Sequence, residues 1–229
     1  MRVTTILRES LRIYSQNAGV LVMSAIIGWF LGLMAALPFA LGAFFTSGVT
    51  ARILDAIGAV VFTAILGGYI VIAAVEAVEG AATVQKVWKR WKERVFDVSG
   101  AVIAAIFPII AGMLASLAAY VGTGSEGLAN IIFLASLFIT AIFAPLPIIA
   151  AKERISDAFK ELEKIWRHIY IKSLALVMLF TAIYIIVAIP FALLQGGAGA
   201  LAIVYLAFLL HWQNLSFALL VKHWELARG

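Results

Sequence analysis

The chain has 229 residues, of which 64% are hydrophobic and 13% are charged, and it contains no cysteine. A soluble domain is about half apolar and about a quarter charged, so a soluble fold could not bury this much apolar surface, and lipid must solvate part of the chain. The absence of cysteine excludes disulfides, thiol catalysis and zinc–thiolate sites.

Long stretches without charge predict six membrane-spanning helices, because a bilayer core of about 30 Å needs roughly 20 apolar residues in a helix. The first stretch is longer than one span requires, so we expect it to tilt, to kink at Pro38 or to run into the outer loop. The last two are separated by QGGAGA, residues 195–200, whose glycines permit a turn. The predicted spans lie near 18–46, 56–78, 100–122, 128–150, 173–194 and 201–221.

The basic residues are placed almost entirely on one side of these spans. Apart from Arg52, every Lys and Arg lies before residue 13, in 80–98, in 151–172 or after residue 221. The positive-inside rule therefore predicts a multi-pass protein of the cell membrane with both termini in the cytoplasm. The formal net charge of +5 is then explained by topology and anionic lipid headgroups, and not by nucleic acid.

Three basic segments, residues 3–14, 84–98 and 155–169, precede the odd-numbered spans. Each places apolar residues at the i, i+3, i+4 and i+7 spacing of an amphipathic helix. We call these segments elbows and expect each to be a cytoplasmic helix lying in the headgroup plane. The alternative is a helix packed on a soluble partner. The residues expected to contact headgroups are Trp88, Lys89, Arg90, Trp91, Lys92 and Trp166.

The odd-numbered spans resemble one another. AALPFALG at 35–42 matches VAIPFALL at 187–194, with Pro38 and Pro190 in register, and ASLAAYVG at 115–122 aligns with both. The predicted fold is therefore an all-α integral membrane protein, a single membrane domain in which six helices form three parallel hairpin repeats related by an axis along the membrane normal. The repeats cover approximately 1–80, 81–151 and 152–229.

The returning spans carry interruptions or polar clusters at similar depth: Gly67 and Gly68 followed by Tyr69, the APLP stretch with Pro145 and Pro147, and the HWQN stretch at 211–214. Interruptions at matching positions of repeats indicate a binding site. Small residues and kinks also serve helix packing alone, which is the alternative.

His211 is the most unusual residue, because an ionisable side chain near mid-bilayer should face the bundle interior. It could relay a proton, bind a metal or sense pH, or it could stay neutral and bridge two helices through hydrogen bonds. Asn214 lies one turn further on the same face, and Gln213 points elsewhere. Glu76 could gate or bind a cation, although snorkelling toward water or pairing with the lysine-rich elbow is the simpler interpretation. No catalytic motif is present, so neither enzymatic activity nor a cofactor or metal is expected.

The elbows and paired spans, together with GGYIVIAAVEAVEG at 67–80, resemble a broad set of uncharacterised prokaryotic six-span membrane proteins. These are similar to the membrane domain attached to some bacterial glycerophosphodiester phosphodiesterases. The resemblance implies a six-span membrane domain only, because the phosphodiesterase domain does not occur in this sequence.

The sequence favours a transport function and leaves a non-transporting role as the alternative. The matched interruptions and His211 favour a small permease or channel-like protein for a small neutral or lipid-like solute. The basic, Trp-containing elbows favour a non-transporting lipid-organising scaffold, or a membrane subunit of a larger complex such as an ABC-type system. A polar cavity at the repeat axis would favour transport, and a solid apolar core would favour the scaffold. Anionic lipids are the expected partners, and a protein partner or homo-oligomer is left open.

The topology has a direct test. Because both termini are predicted to be cytoplasmic, epitope tags at the two ends should react with antibody only after the cell membrane is permeabilised. Immunofluorescence of intact and permeabilised cells measures this. Tags reached from opposite faces would contradict an even number of spans.

Overall fold

The structure is a computed structural model that describes residues 2–80, 82–193 and 199–228; for 187–193 and 199–206 it describes only the backbone. These described residues form helices and short connections, with no strand. The helices are α1 (Val3–Phe44), α2 (Gly48–Glu79), α3 (Val84–Thr123), α4 (Glu126–Phe143), α5 (Leu146–Ala150), α6 (Ile155–Leu193) and α7 (Gly199–Arg228).

The chain is a multi-pass helical membrane protein by length and composition. Within the described ranges, five helical stretches are long and apolar enough to cross a membrane: α1, α2, α3, α4 together with α5, and α6 as far as Ile186. The predicted sixth span falls in α7, but the side chains of 201–206 lie outside the described residues. So do the side chain of Pro190 and most of the predicted turn at 195–200.

Helices α1 and α2 form an antiparallel hairpin held by close approach at glycines. A Cβ atom at Gly28 would lie 3.1 Å from Cβ of Tyr69, and one at Gly32 would lie 2.9 Å from the ring of Phe62. Such small residues let helix backbones approach in a lipid environment. We call the end of the bundle that holds both chain termini and the α2–α3 and α5–α6 connections the terminal end, and the opposite end the loop end.

The elbows differ from the expected flat helices. Helix α1 has non-helical dihedrals at Asn17 (φ −118°, ψ 15°) and not at Pro38, so the kink lies where elbow 1 meets the span. The Asn17 side chain stabilises this kink, since its Nδ2 donates to the Ile13 carbonyl (3.0 Å) and its Oδ1 accepts from the Ala82 amide (3.3 Å). Elbows 2 and 3 run without a break into α3 and α6, so they extend the spanning helices.

The core lies at the terminal end, where the returning helices converge. Residues 68–75, 145–151 and 215–221 are buried without interruption, and we call them the returning segments. In each helix three half-buried residues and one further buried residue come directly before the segment. A helix buried on every face must be enclosed by neighbours. Elbow residues join this core: Ile6, Val87, Trp91, Val98, Ala158, Leu162, Ile165 and Ile169.

The loop-end halves of the first two hairpins are exposed on most of their surface. Met34, Phe44 and Val49 are 66%, 79% and 74% exposed. Large apolar side chains exposed around a helix pair are typical of contact with lipid.

The second hairpin depends on Gly112. A Cβ atom added at this position would overlap the Ser136 side chain of α4. We expect Gly112→Ala to lower the free energy of unfolding by about 1–3 kcal/mol, because the two helices must separate. Denaturant unfolding in detergent measures the change. Gly19→Ala is the control, since no atom lies within 4 Å of its added Cβ; equal losses in the two variants would contradict the prediction.

Candidate functional site

Elbow 2 packs on α2. Two expectations are therefore wrong, namely that Trp91 contacts headgroups and that Gly67 and Gly68 interrupt α2. Trp91 is 5% exposed, and its ring centroid lies 5.4 Å from that of Tyr69, so Trp91 does not contact headgroups. Gly67 and Gly68 do not interrupt α2, which is helical from residue 48 to residue 79. Their role is close packing: an added Cβ would lie 3.1 Å from Val102 at Gly67 and 3.0 Å from the Trp91 ring at Gly68.

Arg90 holds two carboxylates at the end of α2. Its Nε lies 2.9 Å from an oxygen of Glu76, and one terminal nitrogen lies 2.9 Å from an oxygen of Glu79. The Arg90 side chain is 27% exposed and its other terminal nitrogen is buried. Arg90 is therefore engaged within the protein and does not reach headgroups. Glu76 pairs with the elbow and not with a free cation in a channel.

Lys152 extends these ion pairs to the third hairpin. Its Nζ lies 3.4 Å from Glu79 and 2.8 Å from Glu225 near the end of α7. We call Glu76, Glu79, Arg90, Lys152 and Glu225 the ion-pair network. It joins residues of all three predicted repeats at the terminal end. The two carboxylates that pair with Lys152 are partly exposed, so each ion pair contributes little to the free energy of unfolding. The main effect of the network is to connect the helices.

Elbow 1 packs on α7 through buried polar contacts. The Trp212 indole nitrogen donates to Ser10 Oγ (2.9 Å), and the Ser216 hydroxyl lies 3.0 Å from the same oxygen. Ser10 and Ser216 are both 0% exposed. This contact brings together residues more than 200 positions apart, so the first and last helices of the chain meet in the same core.

His211 lies in the interior, one turn before the third returning segment. It is 1% exposed, and Nδ1 lies 2.8 Å from the Ala207 carbonyl oxygen, so Nδ1 carries a hydrogen and donates it. Nε2 is buried and has no hydrogen-bond partner among the described residues. The ring centroid of His211 lies 6.3 Å from that of Tyr14.

The other polar residues of the HWQN stretch are engaged locally. Asn214 Nδ2 donates to the Leu210 carbonyl of its own helix (2.8 Å). Gln213 Oε1 accepts from the Tyr184 hydroxyl of α6 (2.9 Å), so Gln213 bridges two helices. The structure therefore does not bring His211, Gln213 and Asn214 together around one ligand.

Tyr69 and the prolines have different roles. Tyr69 is 0% exposed, and its hydroxyl has no described hydrogen-bond partner. Helix α4 ends at Phe143 and α5 begins at Leu146, so the returning helix is broken at Pro145; Pro147 is in the first turn of α5. Both prolines belong to the buried returning segment.

Four of the residues expected to contact headgroups keep at least part of their side chain exposed. Lys89 and Lys92 are exposed, Trp88 is 39% exposed and Trp166 is half-buried. Lys92 Nζ lies 5.8 Å from the centre of the Trp88 ring. A cation beside an indole at the rim of a helix bundle suits the membrane–water boundary.

Comparison with models of known protein families, with curated proteins and with solved structures finds no match. Chemistry therefore has to be inferred from the residues. Within the described ranges, no group of three or more His, Asp or Glu side chains is placed to hold a metal ion. The candidate site is the terminal-end core with its ion-pair network. Sequence patterns missed Lys152, Glu225 and Ser10, whose only signal was a polar residue next to the end of a span or inside an elbow.

The ion-pair network predicts that replacing Lys152 destabilises the protein more than replacing Lys164. Lys152→Met should lower the free energy of unfolding by about 1 kcal/mol, because it removes the cation that the partly exposed carboxylates of Glu79 and Glu225 share. Lys164→Met is the control, since Lys164 is 57% exposed and pairs with Glu161 on its own helix. Its loss should stay below about 0.5 kcal/mol. Denaturant unfolding in detergent measures both, and equal losses would contradict a network role.

Proposed function

We propose that this protein is a non-transporting membrane scaffold with three hairpin repeats and six spans, whose closed terminal end faces the cytoplasm and organises anionic lipid. The observation that carries the proposal is the terminal-end core. Residues 68–75, 145–151 and 215–221 are buried on all faces. Among the described residues, a core packed in this way leaves little room for water at that end of the bundle.

The threefold arrangement is supported by two independent patterns. The first is the shared burial pattern of the three returning segments. The second is that each elbow packs on a returning helix: Trp91 on Tyr69, Phe159 beside Phe143, and Ser10 on Trp212. Elbow 1 thus contacts α7 as elbow 2 contacts α2, which is the arrangement that three repeats around one axis would give.

The lipid role is supported by the outward side chains of the elbows. Lys89, Lys92 and Trp88 are exposed, and Arg167 lies 5.7 Å from the ring of half-buried Trp166. Each Lys or Arg near an anionic membrane surface contributes about 1 kcal/mol of attraction. Two elbows therefore present cations next to indoles that suit the headgroup region.

Lipid enrichment around the purified protein tests this proposal. In nanodiscs of mixed phosphatidylglycerol and phosphatidylcholine, the anionic lipid should be enriched around the protein and the enrichment should disappear in about 1 M salt, where the Debye length is about 3 Å. The double variant Lys89→Glu, Lys92→Glu should lose most of the enrichment. Arg52→Glu, at the loop end, should retain it. Lipid composition by mass spectrometry measures the ratio, and equal enrichment in both variants would contradict the proposal.

A small permease is the second candidate, and one observation favours it. His211 places a buried Nε2 without a described partner directly before the returning segment. In proteoliposomes, glycerol influx by light scattering and translocation of a fluorescent phospholipid measure transport. The scaffold proposal expects rates equal to protein-free vesicles. If transport is faster than in protein-free vesicles and slows in His211→Ala, the permease proposal replaces the scaffold proposal.

A further inference from the structure

A cavity of about 370 Å³ opens at the terminal end between the end of α5, the start of α6 and the end of α7. This volume lies within the range of about 300–1,000 Å³ of small-molecule sites. Its apolar lining comes from Ile149, Ile165, Val221 and Trp224. Its charged lining comes from Lys152, Glu153, Glu161, Glu225 and Arg228.

Among the charged side chains that line the cavity, one carboxylate has no ion-pair partner in the described part of the chain. Lys152 pairs with Glu225 (2.8 Å), and Arg228 pairs with Glu161 (3.0 Å). Glu153 is exposed and its carboxylate has no ion pair or hydrogen bond among the described residues. The lining itself holds three carboxylates and two cations, and Lys164, which does not line the cavity, also pairs with Glu161 (2.9 Å). The unpaired carboxylate of Glu153 therefore favours a cation over an anion.

The chain itself supplies an example of how the cavity holds a cation. The Arg228 guanidinium lies 5.1 Å from the centre of the Trp224 ring and 3.0 Å from a Glu161 oxygen. An aromatic face beside a carboxylate is the usual recognition pattern for organic cations. The apolar floor adds room for a hydrocarbon group next to the charge.

We propose that this cavity is a binding site for an organic ammonium ion with an apolar substituent. The ammonium group pairs with Glu153, and the substituent packs on the half-buried Trp224. The proposal is independent of lipid organisation, because the cavity residues are not the exposed elbow residues Lys89 and Lys92.

Three probes of similar shape separate charge from hydrophobicity: phenethylammonium, phenylacetate and 2-phenylethanol. Calorimetric titration of the detergent-solubilised protein should give saturable binding of phenethylammonium and at least tenfold weaker binding of the anion and the alcohol. Glu153→Gln should weaken phenethylammonium binding about fivefold or more, as expected for the loss of one charged contact. Glu163→Gln is the control, because Glu163 is exposed on the same helix and does not line the cavity.

Trp224→Leu tests the aromatic face and should also weaken phenethylammonium binding. Since Trp224 is half-buried, unfolding of this variant is measured in parallel, and Glu153→Gln, at an exposed position, keeps the test decisive if Trp224→Leu is unstable. The proposal is overturned if phenethylammonium does not saturate, if phenylacetate binds equally well, or if Glu163→Gln and Glu153→Gln weaken binding alike. None of these results bears on lipid enrichment.

Discussion

Enclosure of the three returning segments is the constraint on which the rest of the structure depends. Lipid offers no hydrophobic gain for pressing one apolar helix on another, so close packing and internal polar contacts must hold a membrane bundle together. This chain concentrates both at one end. Gly68 admits the Trp91 ring, and Ser10 accepts the indole hydrogen of Trp212, so each contact joins an elbow to a returning helix. The loop-end halves of the first two hairpins, which lack this enclosure, expose their apolar side chains.

The ion-pair network lies at the boundary between the apolar core and water, where its charges are most effective. Full burial would impose a desolvation cost that exceeds the attraction between the charges, and full exposure would leave the pairs screened. Arg90 and Lys152 are 27% and 25% exposed, between these extremes. Their carboxylate partners come from α2 and α7, so charge holds in register the same helices that the core packs together.

Charge-free length predicted the five apolar helices that the structure describes, because a membrane-spanning helix must match the bilayer thickness. For Glu76 the sequence left a cation site, snorkelling toward water and pairing with the elbow open, and the structure shows the pairing. The sequence failed on the direction of Trp91, because amphipathic periodicity identifies an apolar face but not what covers it. It failed on Gly67 and Gly68, since glycine inside a lipid-embedded helix permits either a break or a close contact. The meeting of Ser10 with Trp212 lies beyond any local pattern, because it depends on how distant helices are arranged around the core.

That last contact has a consequence for how the protein is made. Ser10 is synthesised about 200 residues before Trp212. During synthesis, the buried face of elbow 1 therefore has no packing partner, and the core stays incomplete until α7 has been made. Long-range closure of this kind slows assembly and exposes unfinished chains to membrane chaperones and proteases. Elbow 1 therefore reaches its packed state only after α7 has been made.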